Sequence, residues 1–182
     1  MFIRDRIEAR VLAWLAEQND LVSQFANGED VYIKMAARIY GCEEESVTKD
    51  QRFVGKTTIL GAGYGMGGVK FQAQLKNFGF EIPVGEAKRI ISIYRSINHS
   101  IDRLWKDAQF TLEQMTHNGP VRFGRRGVLK VLPKENAIQL PSGLCIHYED
   151  LKYEMTEEGS HEYRYKVRRG RNRIYGGKMG EN

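Results

Sequence analysis

Four side chains between Thr48 and Gly68 carry most of the chemistry legible in this sequence. Arg52, Lys56, Leu60 and Tyr64 recur every four residues in the run TKDQRFVGKTTILGAGYGMGG. The run opens as a helix: Thr48 and Gln51 have the spacing of a capping box, and Asp50 falls in the first turn near the positive end of the dipole. On a helix of about 3.6 residues per turn, a step of four drifts by only ~40°, so the four side chains form one slowly turning stripe. Two cations then lie toward the helix N-terminus, where anions are favoured, and an aromatic ring lies ~18 Å further along. Phosphate-binding charge, a small apolar step and a flat ring, in that order, suit an extended nucleoside triphosphate. A solvated basic face running into a flexible turn is the structural alternative.

The glycines need their own reason. Gly61, Gly63, Gly65, Gly67 and Gly68 would each cost ~1 kcal/mol relative to alanine inside a helix. They fit a helix end, or a place where another surface comes very close. The pattern Arg-x3-Lys-x7-Tyr-Gly, as Arg52, Lys56, Tyr64 and Gly65, resembles the fingers-helix motif of family A DNA polymerases. The run RFVGKTTILGAGYGMG is most similar to the phage branch of that family. The resemblance implies that Arg52 and Lys56 grip the incoming nucleotide's phosphates and that Lys56, as the catalytic residue, protonates the departing pyrophosphate. It also implies that Tyr64 packs beside the nascent base pair, with Gly65 at the DNA. Leu60 stands where many members carry Phe or Tyr, a departure that bears on discrimination at the sugar.

Upstream, IEARVLAWLAEQ predicts an amphipathic helix over residues 7–18 with Ile7, Val11, Trp14, Leu15 and Gln18 on one face. IEARVLAWLA resembles the second half of the family's first palm motif, D-x-S-Q-I-E-x-R. Glu8 then matches the glutamate that crowds the sugar's 2′ position and hydrogen-bonds the fingers tyrosine, here Tyr64. Arg10 matches the arginine two residues on, implying a DNA contact. The match stops there. The family's metal-binding aspartate would fall at Ile3, with Asp5 and Arg6 at the usual serine and glutamine. Asp5 is two residues out of register, a shift of ~6.6 Å along a strand. That is too far for an unaltered site with oxygen–Mg²⁺ distances of ~2.1 Å. Met1–Arg6 is thus either foreign sequence at a gene-split junction or the mark of a lost carboxylate.

Asn27-Gly28 marks a turn, and the next helix runs from about Asp30 to Tyr40 and stops on Gly41. GEDVYIKMAARIYG resembles the family segment that places a His or Tyr near the triphosphate, which would be Tyr32; a half-buried core tyrosine explains it equally. Glu43–Glu45 reads as an acidic surface loop. Val69–Phe78, Glu86–Ile97 and about Ser100–Thr116 read as further helices. The last carries Ile101, Leu104, Trp105, Ala108, Leu112 and Met115 as a packing stripe.

After Asn118-Gly119-Pro120 the period changes, and short alternating runs read as hairpin strands. Leu140–Gly143 and Tyr148 are similar to a phage-branch LPSG segment, with Leu144 where an arginine is common. Arg122, Arg125 and Arg126 beside Phe123 suit contact with a DNA backbone; solvated hairpin ends are the alternative. Seven basic residues and no acidic one lie between Arg164 and Lys178, inviting phosphate contact or forming a polar terminal helix. IYGGKMGEN resembles the start of the family helix that leads to the second catalytic carboxylates.

The chain has 182 residues, 41% hydrophobic and 28% charged, with a formal charge of +5. That is a globular composition and a mild excess that fits a polyanion partner without requiring one. Cys42 and Cys145 lack ligand spacing and read as reduced thiols in the cytoplasm of a phage-infected bacterium. His99, His117, His147 and His161 are isolated, so no metal site is expected from this chain. No apolar run approaches the ~20 residues that span a bilayer. The expected fold is α+β, with a partial palm over 1–29, helical fingers over 30–118, and palm-side strands plus the start of a helix over 119–182. The partners implied are dNTP, primer–template DNA, and a complementary polypeptide bringing the missing palm and thumb. Mg²⁺ would serve the complete polymerase, held ~3.5–4 Å from a second ion by carboxylates this chain does not supply. The expected function is nucleotide and DNA binding within a polymerase, inactive alone; a non-catalytic nucleic-acid-binding module and an NTP-binding regulator are the alternatives.

Overall fold

The computed structural model describes residues 7–117, 119, 121–155, 161–169 and 173–179. The expectations at Ile3, Asp5, Arg6, Asn118 and Pro120 lie outside them. Helices fill the first part and antiparallel strands the second, as an α+β chain requires. Two compact units emerge, Met1–Arg103 and Leu104–Asn182, and the division falls within a helix.

The first unit contains α1 (Ile7–Leu15), α2 (Asn19–Ala26), α3 (Val31–Tyr40), α4 (Lys49–Gly63), α5 (Gly68–Asn77) and α6 (Val84–Ile97). Local chemistry fixes most of the ends. Asp30 caps α3 by accepting from the Tyr32 and Ile33 amides, and Gly41 closes it in the left-handed region at φ 65°. Thr48 and Gln51 form the reciprocal capping box at the start of α4. At its other end the Tyr64 and Met66 amides donate to the Gly61 carbonyl, and the Gly65 amide to that of Ala62. Pro83 caps α6, which therefore starts at Val84, two residues before the expected Glu86.

Helix α4 is buried along most of its length, against α3, α5 and α6. Small residues make this possible. A Cβ on Gly55 would collide with the Tyr32 carbonyl oxygen and lie 3.0 Å from the Ala36 nitrogen. One on Gly63 would meet Leu12 at 3.2 Å and the Tyr94 hydroxyl at 3.6 Å. The buried Thr57 and Thr58 hydroxyls donate back to the Phe53 and Val54 carbonyls, so neither is left unsatisfied. Around this helix pack Met35, Ala36 and Ile39 of α3, Phe71 and Leu75 of α5, and Ile90, Ile91 and Tyr94 of α6.

Helix α1 departs from its periodicity in two ways. It ends at Leu15, and its buried face is Ala9 and Ala13, while Ile7, Val11 and Trp14 are exposed. The alanines allow close approach to α2 and α4, and that contact outweighs the larger apolar stripe. Gln18, beyond the end of α1, is buried as a hydrogen-bond hub: it donates to Asp20 at 2.6 Å and the Ile97 carbonyl at 3.3 Å, and accepts from the Ser100 amide at 3.0 Å.

Helix α7 (His99–Thr116) runs across the division and buries Ile101, Leu104, Leu112 and Met115. In the second unit, β1 (Arg122–Phe123), β2 (Leu129–Leu132), β3 (Ala137–Gln139) and β4 (Cys145–His147) form one antiparallel sheet in that order. Phe123, Leu129, Val131, Ala137 and Ile138 are its core. A second sheet joins β5 (Glu149–Met155), β6 (His161–Arg169) and β7 (Arg173–Met179). The last segment, expected as the start of a helix, is strand β7, paired antiparallel with β6 from Arg173 to Met179. Gly176 and Gly177 each disfavour a helix by ~1 kcal/mol, while Ile174 and Tyr175 favour a strand.

Candidate nucleotide site

The structure brings three of the expected site residues into one cluster. Tyr32 is buried at 3% exposure near the start of α3. Above its ring lie the Arg52 guanidinium, 5.4 Å from the centroid, and the Lys56 ammonium, 6.0 Å away. Tyr32 is thus a core residue, as one of its two sequence readings has it, and its ring also lies beneath two cations. Gly55 sets this arrangement, because its missing side chain lets α4 close on the Tyr32 backbone.

Arg52 is not an isolated charge. Its Nε and Nη2 donate to Oδ2 of Asp30 at 3.0 and 2.7 Å. Burial opposes ionisation of Asp30, but hydrogen bonds from Arg52, Ile33 and Tyr32 and the Arg52 charge outweigh it, holding the carboxyl below the usual aspartate range. Sequence reasoning misses Asp30 as a site residue, since its cap role is sufficient reason for it.

At the far end of α4, Tyr64 is the C-cap and 62% exposed. Its hydroxyl is hydrogen-bonded to Glu8, which pushes the phenol above its ordinary value. Leu60 is half-buried between the two ends, and Gly65 follows in the left-handed region at φ 73°. Arg10 is turned inward. Its Nη2 donates to the Phe25 carbonyl at 3.1 Å, its guanidinium lies 5.4 Å from the Phe25 ring, and its Nε is buried without a partner.

The second unit holds the remaining basic candidates. Arg122 stands on β1 directly opposite Lys130 on β2, and both are exposed. Arg125 and Arg126 lie in the 3-10 turn between those strands, with Arg126 at φ 50°. Lys130 joins the three arginines only through strand register, which the sequence does not disclose. Two like charges facing each other across a ladder repel, and a bound anion would relieve them.

Among the described residues no group of three His, Cys, Asp or Glu side chains is placed to hold a metal ion. No helix among them is long and apolar enough to cross a membrane.

Comparison with known proteins gives a consistent result. Residues 5–141 match the family described as DNA polymerase family A. The DNA polymerase of Bacillus phage SP02 is 30% identical over 185 residues, a match covering 97% of this chain and 28% of that protein. DNA polymerase I of Deinococcus radiodurans is 30% identical over 157 residues, covering 85% of this chain and 15% of that one. Among solved structures, the POL domain of Pol1 from M. smegmatis, in complex with DNA primer-template and dNTP, has a TM-score of 0.50 and 26% identity. That likeness covers 64% of this chain and 19% of the other. The chain thus spans less than a third of the relatives it matches. With the Arg52, Lys56, Tyr64 and Glu8 positions set out along one helix and its neighbour, this chain belongs to DNA polymerase family A.

Proposed function

We propose that this chain binds the incoming deoxynucleoside triphosphate along α4 as part of a DNA-directed DNA polymerase acting in DNA replication. The observation that carries the reading is the convergence of Arg52 and Lys56 over Tyr32 in the first half of α4. The triphosphate lies there, with Lys56 as the proton donor to the departing pyrophosphate. Leu60 faces the sugar and Tyr64 the base, with Glu8 limiting the 2′ side. Gly65 and the Arg122, Arg125 and Arg126 hairpin contact primer–template DNA, while Arg10 supports α1 from within. The neighbour's solution in complex with primer-template and dNTP supports the same pair of ligands.

The carboxylates that hold the two metals come from polypeptide beyond the described residues, including a complementary chain. The phage relative, of which this chain covers 28%, supports carboxylates supplied from polypeptide other than the described residues. The phage relative also supports the cytoplasm of an infected bacterium as the place of action. Calorimetric titration of the full chain with dNTP and Mg²⁺, with and without primer–template, tests the reading. Saturable dNTP binding that Arg52→Ala with Lys56→Ala abolishes is expected; no binding in either condition overturns it. Robust Mg²⁺-dependent primer extension by the chain alone overturns the need for a second polypeptide.

A further inference from the structure

We propose that Asp30 is a positioning residue for Arg52 that dictates which edge of the guanidinium meets the nucleotide, an inference that rests on the nucleotide reading above. A guanidinium offers two edges for gripping an oxyanion with paired N–H groups. Asp30 occupies the side edge of Arg52 through Nε at 3.0 Å and Nη2 at 2.7 Å. The edge bearing both terminal nitrogens is left to face a phosphate.

The carboxylate is itself held. Its Oδ1 accepts from the Tyr32 amide at 3.0 Å and the Ile33 amide at 3.2 Å, so it swings away only by uncapping α3. The Tyr32 ring supports the guanidinium from below at 5.4 Å. A long, flexible side chain on α4 is thereby fixed by three contacts from α3, before any ligand arrives.

The same carboxylate sets the selectivity of the cluster. Asp30, Arg52 and Lys56 together carry one net positive formal charge. A lone phosphate at Arg52 meets a nearly neutral ion pair, whereas a triphosphate spans that pair and Lys56 together. Asp30 thus favours the longer polyphosphate over single phosphates of nucleic acid.

The test is a double-mutant cycle in the full chain, read by dNTP binding and thermal melting. Asp30→Ser keeps a side-chain oxygen suited to capping α3 while removing the charge and the grip on Arg52. Binding is expected to weaken about tenfold even though the variant is more basic, and Asp30→Ser is expected to add nothing in an Arg52→Ala background. Unchanged or tighter binding by Asp30→Ser overturns the proposal. So does an equal loss in the Arg52→Ala background with a fall in melting temperature, which would make Asp30 only a helix cap. Should the wild-type chain bind no dNTP, the functional reading fails separately. Exchange of the Arg52 Nε–H by ¹⁵N NMR then decides: slow in the wild type and fast in Asp30→Ser sustains the positioning, and fast in both overturns it.

Discussion

Gly55 of α4 sits against the backbone carbonyl of Tyr32 on α3, so closely that no side chain fits between them. This contact places Arg52 and Lys56 over the Tyr32 ring, on either side of the glycine in sequence. Alanine at this position gains ~1 kcal/mol of helix propensity but must push a buried backbone aside. Gly55→Ala is expected to destabilise the chain by a net ~1–2 kcal/mol and to weaken dNTP binding as α4 lifts from Tyr32. Urea denaturation checks the first and calorimetry the second. Gly63→Ala is the control, because a flexible Leu12 methyl is what it would meet first.

Lys56→Ala should separate the two ligands. The ammonium faces a ring on α3, so on the proposed reading its loss removes a phosphate partner and spares the scaffold. Affinity for dNTP is expected to fall about tenfold, the worth of a charged hydrogen bond, with DNA affinity changed far less. Filter binding with each ligand measures this, and an equal loss of both would reduce Lys56 to a surface charge.

The Glu8–Tyr64 pair predicts a specific alkaline behaviour. The folded-state value of Tyr64 is raised above its ordinary 10.0, chiefly by the Glu8 hydrogen bond, with a little desolvation and then the Glu8 charge. A raised value means that the tie between α1 and the end of α4 is fully present below the ordinary phenol range. It is lost as pH rises through the folded value. Difference absorbance between the wild type and Tyr64→Phe is expected to show a phenol titrating late, and Glu8→Gln to bring it earlier. A midpoint that ignores Glu8→Gln would remove the pair from the site.

The basic hairpin predicts a salt dependence. If Arg122, Arg126 and Lys130 each neutralise a phosphate, replacing all three with alanine lowers the slope of log affinity against log salt by about 2.7 on duplex DNA. The sheet core formed by Phe123, Leu129 and Val131 is untouched by these changes. A slope that stays put assigns the three charges to solvent.

Helices with chemical caps are legible from residue order alone. Asp30 with Gly41, and Thr48 with Gln51, mark ends by contacts made within the helix they bound, and periodicity supplies what lies between. Reach across the chain is not legible. Asp30 and Arg52 are 22 residues apart, and nothing local distinguishes that aspartate from an ordinary cap. Gly55 carries no signal of its own, because one glycine within a helix reads as a tolerated cost, whereas its purpose belongs to the Tyr32 backbone. On α1 the apolar stripe suggests a buried face, yet Ala9 and Ala13 are the residues inside, since close approach favours small side chains over large ones. At β7 a likeness to a helical segment is overruled by pairing with β6.

The way α4 is finished at its two ends gives it a sense of direction. The positive end of its dipole, capped by Thr48, lies on the side of Arg52 and Lys56, while its closing turn points the carbonyls of Gly61 and Ala62, which accept from the Tyr64, Met66 and Gly65 amides, toward the end that Glu8 meets through Tyr64. On the proposed reading, a polyphosphate laid with its tail toward Thr48 keeps its charge beside Arg52 and Lys56 and away from Glu8. Turned end for end, the same molecule would bring its charge to the negative end of the helix dipole and to Glu8. If the nucleotide lies along α4 as proposed, the helix would be a one-way berth that disfavours the inverted ligand before any base is read.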